Sequence, residues 1–178
     1  MILGLVGEKL AGKDTVANYL VEKYAATHFR FTHILDALVE ELNLPISRKN
    51  GIDIGLGLRK IFGEHVLINA LEPRVRRSLA SYRVVNGIRM DELEIVKSWG
   101  AKIIYITAPI EIRFKRYKLR KEKADDAEMN FEQFKHQELS LTEVKIPELG
   151  AKADFKIENV GSLEHLYKKT EEIITNFK

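Results

Sequence analysis

The stretch Ile2-Leu3-Gly4-Leu5-Val6-Gly7-Glu8-Lys9-Leu10-Ala11-Gly12-Lys13-Asp14-Thr15 decides how the rest of the chain is read. Its first five residues are an apolar run, the pattern of a short buried strand. Gly7 to Lys13 then has the G-x-x-x-x-G-K spacing of a phosphate-binding loop. Val16, Ala17, Leu20, Val21 and Tyr24 follow at helical spacing. The motif therefore lies between a strand and a helix, the context it requires.

The residue types fit that chemistry. Gly7 and Gly12 let the backbone curl around a polyphosphate without a Cβ in the way. The N–H groups of Glu8, Lys9, Leu10, Ala11 and their neighbours turn inward as an anion nest, and the helix beginning near Lys13 adds its positive end. Lys13 is expected to reach the β- and γ-phosphates. The next position is usually Ser or Thr, whose hydroxyl ligates Mg²⁺; here it is Asp14, followed by Thr15. Asp14 either binds Mg²⁺, directly or through water, or caps the helix. Thr15 is placed to serve the α-phosphate side.

Composition narrows the classes. The 178 residues suit one domain spanning residues 1–178 with a substantial core. A hydrophobic fraction of 45% with 31% charged residues is that of an ordinary globular chain. The absence of cysteine excludes disulfides, thiol catalysis and cysteine-ligated zinc. The opening apolar segment is too short for a signal peptide, and no run reaches membrane-spanning length. A cytoplasmic location without a membrane partner is the expectation. A net charge of +3 calls for no nucleic acid; a polyanionic small molecule suffices.

Working outward, Thr27 to Phe31 reads as a second strand and 33–42 as a helix stopped by Pro45. Residues 47–57, with Gly51, Gly55 and Gly57, read as a mobile connection. Leu58–Phe62 and Glu64–Leu71 read as two short helices separated by Gly63, and Pro73 with the basic run Arg74–Arg77 ends that section. Tyr82–Val85 is a strand, followed by Asn86-Gly87-Ile88-Arg89 and a helix over 91–99. Lys102–Thr107 is a buried strand leading to a helix over about 110–121. Residues 122–149 read as polar and irregular, with one helical patch near Phe131 and Phe134. A last strand, Ala153–Ile157, precedes a helix carrying Leu163, Leu166, Tyr167, Thr170, Ile173, Ile174 and Phe177. Strands alternating with helices predict a doubly wound parallel α/β sheet flanked by helices, with ligands at the carboxyl ends of the strands.

Phosphoryl transfer gathers negative charge that cations must neutralise. Arg113, Arg116 and Arg120 fall at i, i+3 and i+7 and share a helix face, either an anion clamp or a solvated basic face. Ile110, Phe114 and Tyr117 form a separate stripe expected to seat that helix on the sheet. Arg89, at a strand end, suits a bidentate grip on an acceptor phosphate. Asn86 stands where an Asp commonly orients Mg²⁺ through water, keeping the acceptor oxygen but not the charge. The histidines show no paired metal-ligand spacing.

GEKLAGKDT, VVNGIR, the helix after ITAP and the ending ADFKIENVGSLEHLY resemble the P-loop nucleoside monophosphate kinase family. GKDT and LRKIFGEHVLINAL look like its deoxynucleoside members, and the tail A-D-x-x-I-x-N-x-G-S is also similar to dephospho-CoA kinases. The resemblance implies a P-loop NTPase, nucleotide-kinase type fold with an acceptor-binding segment at about 32–80 and a lid at about 114–148. It further implies ATP as donor, Mg²⁺, and small-molecule nucleotide substrates. The family's acceptor arginines fall on Arg59 and Arg89, its lid arginines on Arg113, Arg116 and Arg120, and its adenine-side contacts near Asn159, Val160 and Gly161. A nucleoside monophosphate acceptor is already anionic and needs no general base. A ribose hydroxyl, as in dephospho-CoA, benefits from a carboxylate. Thr32 stands where dephospho-CoA kinases carry Asp, and Asp36 one turn later is an imperfect substitute. The monophosphate is the favoured acceptor, dephospho-CoA the alternative. A nucleotide-binding switch or slow NTPase is the alternative of another class.

Overall fold

The apolar run at the N-terminus is buried on both faces, as a central parallel strand must be. The computed structural model describes residues 1–119, 129–140 and 143–176, with backbone alone at Met90 and Asp91. Strand β1 (Ile2–Val6) leads through the loop to helix α1 (Lys13–Tyr24). There follow β2 (Thr27–Arg30), α2 (Phe31–Glu41), α3 (Arg48–Phe62), α4 (Val66–Arg77), β3 (Arg83–Asn86) and α5 (Met90–Ser98). Then come β4 (Lys102–Thr107), α6 (Ile110–Leu119), α7 (Phe131–Gln137), α8 (Ile146–Ala151), β5 (Phe155–Glu158) and α9 (Leu163–Thr175).

The strands pair in the order β2-β3-β1-β4-β5, all parallel. Strand side chains alternate between two cores. Leu3, Leu5, Ile104 and Ile106 share one core with Val16, Ala17 and Leu20 of α1 and Leu166 and Ile173 of α9. Ile2, Val6, Val85 and Ile103 share the other with Ile68 and Leu71 of α4, Leu93 and Val96 of α5, and Ile146 and Leu149 of α8. Helices on both faces make this the doubly wound α/β fold expected from the sequence. Register sets Leu5 opposite Asn86, Val6 opposite Tyr105 and Thr107 opposite Glu158. The ends of β1, β3, β4 and β5 thus open on one edge, where the loop lies.

Several expectations are corrected. Residues 47–57 are not a connection: 48–57 belong to one continuous helix, α3, and 47 precedes it. Ser47 caps it, accepting from Asn50 N–H at 3.1 Å, and Gly55 packs against Leu35 of α2. Packing on α2 offsets the glycine cost of roughly 0.5–1 kcal/mol per residue. Helix α4 does not end at Pro73 but runs through it to Arg77, so the basic run is its last turn, where cations complement the helix dipole. β2 ends at Arg30, which places Thr32 in the first turn of α2 rather than after a strand.

Phe114 and Tyr117 do not seat α6 on the sheet. They pack against Phe131 and Phe134 of α7, with ring centroids 5.2–5.5 Å apart. The polar segment expected to be irregular also contains α8. Its Gly150 lies against the Tyr105 ring so closely that a Cβ there would overlap the ring, and its Ile146 and Leu149 are buried. Phe177 lies outside the described residues, as does Arg120.

Candidate active site

The phosphate loop is held by its glycines and by neighbours on three elements. Gly7 and Gly12 have φ of 149° and 114°. A Cβ at Gly7 would overlap the Ile106 carbonyl oxygen, and one at Gly12 the Asn159 side chain. Leu10 also adopts a left-handed φ of 63°. Ala11 N–H donates to Glu8 O at 3.2 Å, closing the turn. Lys9 leaves the loop towards α7, donating to Gln137 Oε1 at 3.0 Å, with its ammonium 5.4 Å from the Tyr117 ring centroid.

The arginines of α6 brace the loop from outside. Arg116 Nη1 donates to Leu10 O at 3.1 Å and Ala11 O at 3.3 Å, and its Nη2 to Asn159 O at 2.9 Å. Asn159 Nδ2 also donates to Ala11 O at 2.9 Å. A peptide's C=O and N–H point in opposite directions, so a carbonyl drawn outward leaves the N–H of Gly12 turned away from α6. Arg113 is buried, donates to Ala108 O at 2.8 Å, and forms a bidentate pair with Glu138. The shared face of these two arginines is turned to the loop backbone and to Glu138. Val160 and Gly161 follow Asn159 at the same edge and are exposed.

Lys13 folds inward, its Nζ donating to Gly7 O at 2.7 Å and Glu8 O at 2.9 Å. Burial, then the nearby Arg89 charge, holds its amine down at about 8. Such an ammonium gains from an arriving polyphosphate. Glu8 accepts from the Tyr105 hydroxyl, and burial with that bond pushes Tyr105 up to about 12.

Asp14 and Asn86 meet across the ends of α1 and β3. Asn86 Nδ2 donates to Asp14 Oδ1 at 2.8 Å, and Arg30 Nη2 lies 3.6 Å from the same oxygen. The cap position of α1 is Gly12, so Asp14 sits inside the first turn, beside Thr15. Asn86 must turn its NH₂ to the carboxylate, which fixes the amide and leaves Oδ1 buried with no hydrogen-bond partner among the described residues. Beside it, His28 Nε2 is 3.3 Å from Asn86 Nδ2, and burial pulls its imidazole down to about 4, so it is neutral. An unsatisfied amide oxygen next to a carboxylate is a hard-oxygen set of the kind Mg²⁺ takes through water, with nucleotide phosphates completing the shell. Among the described residues no group of three or more His, Asp or Glu is assembled for a metal. The Asp14–Asn86 pair fits Mg²⁺ held through water.

At the turn after β3, Arg59 and Arg89 are brought together by a residue missed in the sequence. Glu92, 2% exposed, accepts from Arg59 Nη2 at 3.2 Å and from the Arg89 backbone N–H at 2.9 Å. Its spacing of three from Arg89 is that of a capping box, the one signal that points to it. Arg89 Nη2 donates to Glu143 Oε1 at 3.0 Å. Thr32 is exposed and Asp36 half-buried on α2, which packs on α3 and α4. A cavity of about 710 Å³ adjoins the loop, lined by Glu8, Ile110, Arg113, Glu138 and Glu143 among others.

The doubly wound sheet, with its glycine-rich loop at the end of the central strand, has the fold of solved shikimate kinases. It resembles the shikimate kinase of Bacteroides thetaiotaomicron at a TM-score of 0.67 and 12% identity, covering 98% of both chains. The Aquifex aeolicus shikimate kinase gives 0.63 and 16%, covering 99% of this chain and 97% of that one. The Acinetobacter baumannii enzyme, solved in complex with shikimate, gives 0.61 and 19%, covering 99% and 94%. At these identities the likeness is one of fold. By sequence, the chain is 29% identical to a UPF0200/UPF0201 protein of Archaeoglobus fulgidus, over 97% of this chain and 54% of that protein. It is 26% identical to a UPF0200 protein of Methanothermobacter thermautotrophicus, over 98% and 89%. The chain thus spans about half the length of the first relative and most of the second. No protein-family model matches it. Among the described residues, no helix is long and apolar enough to cross a membrane.

Proposed function

We propose that this chain is an ATP-dependent phosphotransferase acting on a small phosphorylated acceptor, a nucleoside or deoxynucleoside monophosphate. The observation that carries this reading is the pairing of two cation sets at adjacent strand ends. Lys13 follows β1, Arg89 follows β3, and Arg59 is tied beside Arg89 through Glu92.

Lys13 exchanges the Gly7 and Glu8 carbonyls for the β- and γ-phosphates, and the loop N–H groups take the remaining oxygens. Asn159, Val160 and Gly161 border the adenine. Asp14 and Asn86 would hold Mg²⁺ through water, and the ion would supply positive charge to offset that of the polyphosphate. Arg113 and Arg116 serve by bracing the loop, and Arg120 is assigned to the lid. Arg89 and Arg59 hold the acceptor phosphate, with Thr32 and Asp36 on its α2 side. An acceptor oxygen attacks the γ-phosphorus, and the bond to the β–γ bridging oxygen breaks. The products are ADP and a nucleoside diphosphate. The acceptor's second pKa of about 6 leaves it anionic, so no general base is required.

A hydroxyl acceptor is the second reading. The half-buried carboxylate of Asp36 favours it, as does the fold shared with shikimate kinases. An acceptor-independent NTPase is the third. An NDP-release assay with ATP and Mg²⁺ separates the three, using the common ribo- and deoxyribonucleoside monophosphates, dephospho-CoA and shikimate. Stimulation by one monophosphate, lost in Lys13→Ala, supports the first reading. Stimulation only by dephospho-CoA or shikimate replaces it with the second, and slow release unchanged by any acceptor with the third.

A further inference from the structure

Glu143 lies three residues before α8, yet it reaches the turn after β3. Its Oε1 accepts from Arg89 Nη2 at 3.0 Å, across 54 residues of sequence. The same carboxylate belongs to the electrostatic surroundings of Lys13, with Arg89, Asp14 and Glu8. A negative group thus lies within the field of the loop lysine on one side and bonded to the acceptor arginine on the other. That is the charge environment a phosphate bound between them would have.

The pair is built to exchange. Arg89 and Glu143 side chains are 34% and 21% exposed, so solvent reaches both partners and weakens their hold on each other. The other arginine–glutamate pairs differ. Arg113 is 5% exposed in its bidentate pair, and Arg59 is held by a fully buried Glu92. Glu143 also borders the cavity beside the loop, so a displaced carboxylate has space to move into. A phosphomonoester carries about two negative charges and offers a bidentate edge to a guanidinium, so it outcompetes a single carboxylate. A carboxylic acid or a neutral alcohol has no such advantage.

We propose that Glu143 is a specificity-determining residue: its carboxylate holds Arg89 until an acceptor bearing a dianionic phosphate displaces it. This rests on the acceptor role of Arg89 in the reading above.

The test is modification of Arg89 by phenylglyoxal, followed by peptide mass analysis, with inorganic phosphate or acetate as protectant at matched ionic strength. In the unaltered protein, phosphate protects Arg89 and acetate does not. In Glu143→Gln, Arg89 reacts several-fold faster, half-protection needs about tenfold less phosphate, and acetate now protects. Glu143→Asp, which keeps the charge on a shorter stem, falls between, and thermal melts confirm that each variant is folded. Identical protection curves in all three proteins overturn the proposal. The kinase assay then separates the two readings. If no acceptor stimulates NDP release while the protection pattern holds, the kinase reading alone fails. If an acceptor stimulates release with the same KM in Glu143→Gln, the proposal alone fails.

Discussion

Arg116 and Arg89, on the two sides of the phosphate loop, are held in opposite ways. On the β4 side, Arg116 bonds backbone carbonyls of the loop itself. On the β3 side, Arg89 bonds the side-chain carboxylate of Glu143. A carbonyl of the chain cannot leave its guanidinium without the loop moving. A carboxylate on a side chain can. The same residue type is thus a fixture in one half and an exchangeable contact in the other. The shared helix face of Arg113 and Arg116 is a scaffold for the loop.

Mutation can break this contrast, and the effects fall in order. Lys13→Ala removes the buried loop amine proposed to reach the β- and γ-phosphates. NDP release is expected to fall about 10²–10³-fold, the scale for losing one preorganised charge donor, with an unchanged circular dichroism spectrum. Asn86→Asp sets two carboxylates face to face where a 2.8 Å hydrogen bond now stands. Mg²⁺-supported nucleotide binding, followed by calorimetry, should weaken by about 2 kcal/mol and recover in Asp14→Ser/Asn86→Asp, the coupling expected of contacting residues. Simple additivity of the two changes would mean that Asp14 does not offset the missing Asp. Arg116→Ala strips charge-assisted bonds from the loop and should lower stability by about 1.5–3 kcal/mol in urea titration. Arg116→Lys should not restore it, since one ammonium cannot span Leu10, Ala11 and Asn159. If only turnover falls and stability holds, the scaffold half of the contrast is wrong.

Glu92→Gln tests the fixed partner that holds Arg59 beside Arg89. It keeps the size but removes the charge that holds Arg59, so acceptor KM should rise about tenfold with kcat nearly unchanged, a split that general loosening of the fold would not produce. The smallest effect is with pH. Lys13 has its folded value near 8 against 10.5 when unfolded. Between those values the unfolded chain binds the extra proton, so the stability of the free protein rises with pH across that window. Bound polyphosphate favours the charged amine. Nucleotide affinity measured in EDTA should therefore weaken a few-fold as pH rises through about 8, and Lys13→Ala should flatten that slope.

The loop, the parallel sheet and the edge where strand ends gather were legible because they rest on local spacing and strict alternation. Helix α3 was hidden because Gly51, Gly55 and Gly57 are helix breakers in isolation, and packing on α2 and α4 offsets them. Pro73 misled in the same way, with α4 buried by Leu67, Ile68, Leu71 and Val75 on both sides of it. Arg59 and Arg89 were found as types of residue at plausible places. Their carboxylate partners were not, and Glu138 and Glu143 lie far along the chain from the arginines they meet, where no spacing rule joins them.

Helix α8 has a consequence for Glu143. Buried Ile146 and Leu149, and Gly150 against the Tyr105 ring, moor this short helix to β4. Glu143 is therefore on a leash of three residues from a fixed point. A group tethered so briefly has an effective concentration of about the millimolar range at its target. The leash thus sets a threshold: free anions compete for Arg89 only when their own concentration, multiplied by their advantage in charge, passes that local value.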